Sequence, residues 1–219
     1  MVAVTVALAP WLLALGVNTA ETLPRGARAV DLEGGLLVLN ILLPPLPYFP
    51  VLTGDAVVGW GLADGLDARV RYQTHAGLVH RLGPELRGRV LRAGAFSLAA
   101  RLWPSAAIAG AYQDEVDLGV DLSTLFGAVA TWRGAPWALS LDAGLTMQWL
   151  LYERFSGEGR LDDTPFPAFV ELALSFEWPL APDVDLTARL EHAVPLAPDD
   201  PFVIFGGYPR MLVGGSLAW

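Results

Sequence analysis

The chain lacks cysteine and lysine entirely and carries few charges of any kind. Its 219 residues include 14 basic residues, all of them arginine, and 23 acidic ones, so that charged residues make up 17%. Without cysteine there is no disulfide framework, no thiolate metal site and no lipid-modified cysteine anchor. The net charge of -9 argues against nucleic acid as a partner, because each neutralised phosphate needs a cation. A hydrophobic fraction of 53% excludes intrinsic disorder.

Long apolar runs are also missing, except at the N-terminus. Residues 1–20 carry no charge, are apolar nearly throughout, and end in small residues directly before Glu21. This pattern predicts a secretory signal-peptide helix over residues 1–20, cleaved after Ala20, and a mature domain over residues 21–219. The alternative is one membrane-anchoring helix, which Pro10 disfavours because it lies in the middle of the run.

The rest of the chain alternates polar and apolar residues with a period of two. The alternation is longest over residues 139–149 and recurs over 66–72, 170–178 and 184–190. Such alternation indicates β-strands rather than helices. We predict ten strands, near residues 27–40, 53–63, 66–78, 86–93, 96–103, 116–132, 137–154, 167–180, 184–196 and 210–219.

Three features favour a membrane barrel over a soluble sheet. Several segments reach the length of about 9–11 residues that a tilted membrane-spanning strand needs. Short turns at 64–65, 94–95, 133–136 and 181–183 alternate with longer breaks at 41–52, 79–85, 104–115, 155–166 and 197–209, as in outer-membrane barrels. Large aromatics gather at strand ends, where they would form two belts: Trp60, Phe96, Trp132, Trp137, Trp178 and Trp219 near the turns, and Trp103, Trp149, Tyr152, Phe166, Phe169 and Tyr208 near the loops. The sequence therefore predicts an all-β fold, a single transmembrane antiparallel up-and-down β-barrel of about ten strands.

The last ten residues resemble the C-terminal strand signal of bacterial outer-membrane proteins. Trp219 is the terminal aromatic, Leu217 the apolar residue two positions before it, and Gly214 the upstream glycine. Leu212 departs from the pattern, which often has a polar residue there. The resemblance implies a small barrel in the outer membrane of a Gram-negative-type bacterium, surrounded by membrane lipid and lipopolysaccharide. It also implies delivery by periplasmic chaperones and assembly by the barrel-assembly machinery.

Alternation assigns a charged face to the lumen. The early strands contribute mainly bases and the later strands mainly acids: Arg69, Arg71, His75, Arg87, Arg89 and Arg101, then Asp117, Asp121, Asp142, Glu171, Glu177, Asp185, Arg189 and Glu191. Buried charges must be paired to be tolerated, so one interpretation is a lumen plugged by ion pairs. The other is a narrow, charge-lined passage for a small polar solute or ion. Ten strands lie nearer to filled eight-stranded barrels than to porins of about 16–18 strands, which disfavours a general pore.

Catalysis has weak support in the sequence. His75 falls on the luminal face, His80 in a predicted external loop, and His192 on the lipid-facing side of its strand. No serine lies within a few residues of His192, and Glu191 points to the opposite face. We therefore expect no enzymatic activity, no cofactor and no metal site. Two alternatives stay open, a soluble exported β-barrel that binds an apolar ligand and an outer-membrane lipid-modifying enzyme.

Overall fold

The computed structural model describes residues 19–39, 49–75, 79–112, 116–155, 158–162, 165–181, 183–196 and 209–219. The predicted signal peptide lies outside the described residues except for Thr19 and Ala20, and so does most of the predicted loop 41–52. In the described ranges, no helix is long and apolar enough to cross a membrane.

The described residues form eleven β-strands. They are β1 Arg28–Leu39, β2 Phe49–Ala63, β3 Leu66–His75, β4 Val79–Ala93, β5 Phe96–Tyr112, β6 Val116–Arg133, β7 Ala138–Phe155, β8 Glu158–Asp162, β9 Phe166–Ala181, β10 Val184–Pro195 and β11 Arg210–Ala218.

Ten of these strands close into an up-and-down barrel. Each pairs antiparallel with its neighbours, and β11 pairs with β1 to complete the cylinder. The short strand β8 pairs only with β7, as an extension of the loop before β9, and β7 pairs directly with β9. The predicted fold of about ten antiparallel strands is confirmed.

The predicted tight turns gather at one end of the barrel, and both ends of the described chain lie there. Gly65 and Gly94 supply the left-handed backbone conformation that a two-residue turn requires, with φ of 88° and 58°. Arg28 and Trp219 exchange two backbone hydrogen bonds of 2.9 Å each, which extend the β1–β11 seam. Because outer-membrane barrels place short turns in the periplasm, this end is the periplasmic one.

Two predicted loops are strands instead, and so are residues 49–52 of the predicted loop 41–52 and residues 158–162 of the predicted loop 155–166. Residues 79–85 belong to β4 and residues 104–112 to β5, so His80 lies on a strand and not in an external loop. Proline is expected to interrupt a ladder, but here Pro84 and Pro104 lie opposite each other in a single break between β4 and β5. The ladder continues on both sides of that break, which lets both strands extend past the prolines.

Candidate functional site in the barrel lumen

The structure places most of the predicted site residues inside the barrel. Ten are buried there: Arg69, Arg71, Arg87, Arg101, Asp121, Asp142, Glu177, Asp185, Arg189 and Glu191. His75, Arg89 and Glu171 are half-buried. Asp117 lies on β6, with its side chain outside the described part. Arg89 lies at the periplasmic rim, where its guanidinium would be 3.6 Å from a Cβ at Gly65.

Alternating positive and negative side chains form one continuous ion-pair chain through the middle of the lumen. In order along the contacts, it consists of Arg87, Glu85, Arg71, Asp55, Arg210, Glu191, Arg189, Asp142 and Arg101. Successive N···O distances lie between 2.5 and 3.9 Å. The Arg101–Asp142 contact joins β5 to β7 past β6, and the Arg189–Asp142 contact joins β10 to β7 past β9. The ion-pair chain therefore bridges strands that share no ladder.

Three members of the ion-pair chain were missed at the sequence level. Asp55, Glu85 and Arg210 are buried on β2, β4 and β11. Asp67 was missed as well, and it binds the Arg69 guanidinium with two hydrogen bonds of 2.9 Å. The three acids Asp55, Asp67 and Glu85 lie on early strands, which the sequence predicted to contribute mainly bases, so the predicted division between basic early strands and acidic later strands is wrong. Positions two residues apart on one strand share a face, and this rule would have found Asp67 next to Arg69.

A second layer of contacts lies toward the external end. Trp103 is 1% exposed and lies against two guanidinium groups, with Arg81 at 4.1 Å and Arg71 at 5.2 Å from its ring centroid. The prediction that Trp103 belongs to an outer aromatic belt is wrong. Arg81 also donates to Ser105 at 2.8 Å and to Glu171 at 3.3 Å. The Trp103 ring thus contacts both guanidinium groups, whose N–H groups also donate hydrogen bonds to neighbouring side chains.

The other predicted polar residues at this end have local partners. The Thr53 hydroxyl lies 3.0 Å from Nδ1 of His75. The side-chain amide of Gln148 donates to Asp121 at 2.9 Å, and the Thr146 hydroxyl donates to Glu171 at 2.6 Å. Each predicted acid of this layer is therefore held by a neighbouring neutral or basic side chain.

The N-terminal residues of the described chain enter the periplasmic end of the lumen. The backbone N–H of Ala20 donates to Thr131 Oγ1 at 2.6 Å, and that of Leu23 donates to Asp67 Oδ2 at 3.0 Å. Arg87 donates to the carbonyl oxygen of Thr19. Glu21 forms an ion pair with Arg133, with an N···O distance of 2.7 Å. Residues 19–23 are all buried, and they fill the barrel beneath the ion-pair chain.

Acidic side chains do not assemble into a metal site in the part of the chain that the structure describes. No group of three or more histidine or carboxylate side chains there could hold a metal ion. The carboxylates of the ion-pair chain alternate with arginines instead.

The outer surface of the barrel is apolar and is bounded by aromatic side chains. At the periplasmic end Trp60, Trp132, Trp178 and Trp219 are between 39% and 59% exposed. Between the strand ends, leucines face outward on neighbouring strands, as Leu141, Leu174 and Leu190 do on β7, β9 and β10. A soluble protein does not expose a continuous apolar surface of this extent, whereas a barrel in lipid requires one. The chain is an integral outer-membrane β-barrel protein.

Several solved outer-membrane barrels are similar to this chain. No protein-family model and no curated protein matches the chain. An outer-membrane channel from Pseudomonas putida F1 is 12% identical, with a TM-score of 0.48 over 94% of this chain and 100% of that chain. Ail, the attachment invasion locus protein of Yersinia pestis, is 9% identical, with a TM-score of 0.42 over 89% and 99%. The N-terminal β-barrel domain of OprF from Pseudomonas aeruginosa is 11% identical, with a TM-score of 0.36 over 90% and 100%. At these identities the similarity concerns the fold alone.

The predicted assembly signal lies on the strand that closes the barrel. Leu217 and Trp219 face outward, at 46% and 59% exposed. Gly214 lies at the β1–β11 seam, where a Cβ would be 2.0 Å from the carbonyl oxygen of Leu32 and 2.7 Å from Cα of Glu33. Because both atoms belong to the backbone of β1, a side chain at position 214 would push the closing strands apart.

We predict that Gly214→Ala strongly reduces refolding of the purified protein into detergent micelles, where no assembly machinery is present. The matched variant Leu217→Ala changes another residue of the same signal and loses only an outward contact, so it should refold like wild type. Refolding yield is read from the boiling-dependent mobility shift on gels. Normal refolding of Gly214→Ala in micelles, with failure only in cells, would show that the glycine serves recognition and not packing.

Proposed function

We propose that this protein is a structural component of the outer membrane with a closed lumen, and that it is neither a general pore nor an enzyme. The ion-pair chain carries the proposal. Its nine buried side chains run across the middle of the barrel with N···O distances of at most 3.9 Å. A continuous water column would require these contacts to open.

Arginines inside the ion-pair chain each contact two carboxylates, and this supports a closed lumen. Arg210 contacts both Asp55 and Glu191, at 3.0 and 2.6 Å. Arg71 contacts both Asp55 and Glu85, at 2.7 and 3.7 Å. Moving one of these side chains breaks two contacts at once and leaves buried charges without compensation, which is costly in a low-dielectric interior. Residues 21–23, which remain after the predicted cleavage, add a second obstruction at the periplasmic end.

One feature favours a second candidate, a narrow passage for small ions. The longest contact of the ion-pair chain, 3.9 Å, joins Arg189 Nη2 to Asp142 Oδ2. Oδ1 of Asp142 accepts no hydrogen bond from the described residues. A rotation of Asp142 alone would therefore interrupt the chain between β10 and β7 and leave Arg101 and Arg189 facing the gap.

Osmotic swelling of proteoliposomes tests the proposal for uncharged solutes. Vesicles that contain the folded protein should swell in a pentose solution no faster than protein-free vesicles, while vesicles with a general porin swell rapidly. The amount of folded protein in each preparation is checked by the boiling-dependent mobility shift. A swelling rate that rises with the amount of folded protein would contradict a closed lumen.

We also propose that the external end contacts lipopolysaccharide and that the barrel-assembly machinery recognises β11 after periplasmic chaperones deliver the chain. The outward apolar and aromatic residues at the end of the chain, Leu217 and Trp219, support recognition by the assembly machinery. They are accessible before closure, because β11 pairs with β1 only in the finished barrel.

The absence of enzymatic activity is supported by the surroundings of the histidines. His192 faces outward on β10, and its register partner on β9 is Leu172. Nδ1 of His80 lies 2.7 Å from the Tyr72 hydroxyl on the outer surface. Release of fatty acids from phospholipid vesicles should be no greater for the folded wild type than for His192→Ala. Release that disappears in this variant would establish a lipid-modifying enzyme.

A further inference from the structure

Acidic side chains accumulate in the periplasmic half of the lumen, beside and below the ion-pair chain. We define the acid chamber by five carboxylates that are each at least nine-tenths buried, namely Glu21, Asp31, Glu33, Glu177 and Asp185. Arg133 pairs directly with Glu21, with its Nη2 at 2.7 Å. Arg189 and Arg71 also act on this group, but both already belong to the ion-pair chain. The five carboxylates of the acid chamber thus share three arginines, two of which also serve the ion-pair chain.

Glu177 is the residue of the chamber that most needs a cation. It is 3% exposed, and neither of its carboxylate oxygens accepts a hydrogen bond from any residue that the structure describes. The acids whose charges act on it are Asp185, Glu33 and Glu21, and Arg133 is the cation that opposes them. A carboxylate this deeply buried requires a paired cation or hydrogen-bond donors. The position of Glu177 therefore points to a further positive group in the chamber.

The chain can supply this positive group from its own N-terminus. Hydrolysis of the peptide bond between Ala20 and Glu21, at the predicted cleavage site, consumes one water molecule. The leader leaves with a new carboxylate on Ala20, and Glu21 keeps a new α-amino group, which binds a proton at neutral pH. No other reactant is needed.

The position of Glu21 brings this group into the acid chamber. Its carboxylate is fixed by two contacts with Arg133, at 2.7 and 3.0 Å. Loss of Thr19 and Ala20 clears the space next to Thr131, whose hydroxyl lies 2.8 Å from that of Ser140 on β7. The strand β7 is the direct neighbour of β9, and Ala138 is the register partner of Glu177. The cleared space therefore borders the wall that carries Glu177.

We propose that the α-ammonium group of mature Glu21 is a resident cation of the lumen and forms an ion pair with Glu177. This inference goes beyond the proposed function, since it requires export and cleavage of the leader but neither an open nor a closed lumen. It gives the N-terminus a fixed place inside the barrel. It also gives the Glu177 carboxylate, whose two oxygens accept no hydrogen bond from the described residues, a positive partner.

The absence of lysine makes this proposal directly testable, because the α-amino group is the only primary amine in the chain. The full-length gene is expressed in a bacterium with an outer membrane, and the protein is extracted in mild detergent. Intact mass should correspond to residues 21–219. An amine-reactive ester should label the folded protein at least about tenfold more slowly than the boiled protein, since an ion-paired ammonium is rarely deprotonated.

Two carboxylate-to-amide variants identify the partner of the ammonium group. Glu177→Gln should raise the labelling rate of the folded protein several-fold. Asp183→Asn removes an exposed acid from the neighbouring turn and should leave the labelling rate unchanged. A folded Glu177→Gln protein that stays protected would overturn the ion pair. Labelling of folded wild type as fast as of boiled protein, or cleavage at another bond, would overturn the proposal as a whole.

A zero-length carbodiimide cross-link in the wild type makes the test independent of whether Glu177→Gln folds. The carboxylic acid adds to the carbodiimide to give an O-acylisourea, and the α-amino group attacks its carbonyl carbon and displaces a urea. The urea carries away one carboxylate oxygen, so the mass of the protein falls by that of one water molecule. With a single amine in the chain, one intramolecular amide is expected, between Glu21 and Glu177. Peptide mapping that finds the amide on a different carboxylate would contradict the assignment of Glu177.

Discussion

Replacement of Arg210 by alanine is expected to lower the free energy of unfolding by about 3–5 kcal/mol, or to abolish folding. Arg210 is 3% exposed and donates to Glu191 at 2.6 Å and to Asp55 at 3.0 Å. Its removal leaves two buried carboxylates facing each other with no shared cation. Because domains are stable by only about 5–15 kcal/mol, this single change affects a large part of the total.

Two further variants show whether the effect comes from the ion-pair chain. Arg92→Ala makes the same change at an exposed position of β4 and should alter stability by no more than about 0.5 kcal/mol. Arg210→Lys keeps the charge but loses the planar group that binds two carboxylates at once, so it should be intermediate. Stability is measured by urea titration in micelles, followed by tryptophan fluorescence. Equal stability of Arg210→Ala and Arg92→Ala would show that the ion-pair chain does not hold the barrel together.

The second large loss of stability is expected from a charge introduced on the outer, lipid-facing surface of the barrel. Leu174→Arg should destabilise the protein in phospholipid vesicles by about 2–4 kcal/mol, the range for arginine near the bilayer midplane. Leu174 is 46% exposed on β9 and lies between Leu141 and Leu190 of the flanking strands, so that the new charge would face hydrocarbon on all sides.

The matched control for this effect is Leu180→Arg. Leu180 is 64% exposed at the periplasmic end of β9, where arginine should cost only about 0–1 kcal/mol. Both variants are compared with wild type by urea unfolding in the same vesicles. A membrane barrel predicts this dependence on depth. Equal losses at the two positions would favour the soluble barrel that the sequence left as an alternative.

Local periodicity accounts for how much of the fold could be predicted. In a strand, side chains alternate between two faces, so a period-two pattern identifies both the strand and its luminal side. Gly65 and Gly94 mark turns because only glycine adopts a positive φ readily. Alternation also places Trp103 on the face of Arg101, and the structure has it in the lumen.

Pairing inside the lumen could not be predicted in the same way. The polar–apolar alternation of a strand shows which side chains face the lumen. It does not show how close they come to side chains on strands that are not hydrogen-bonded to their own. Arg101 and Asp142 meet past an intervening strand, and Arg210 reaches Asp55 across the closing seam. The partners of the N-terminal residues are more distant still, since Ala20 and Thr131 are separated by 111 positions. Such contacts depend on closure of the whole barrel.

Single-channel recording in planar lipid bilayers tests the central claim most directly. Purified, folded protein that passes the boiling-dependent mobility test is inserted at high salt, and the current is recorded over a range of voltages. A lumen filled by the ion-pair chain predicts a baseline indistinguishable from the protein-free bilayer. A persistent, stepwise open current from the wild-type protein would contradict the closed lumen and establish a passage for ions.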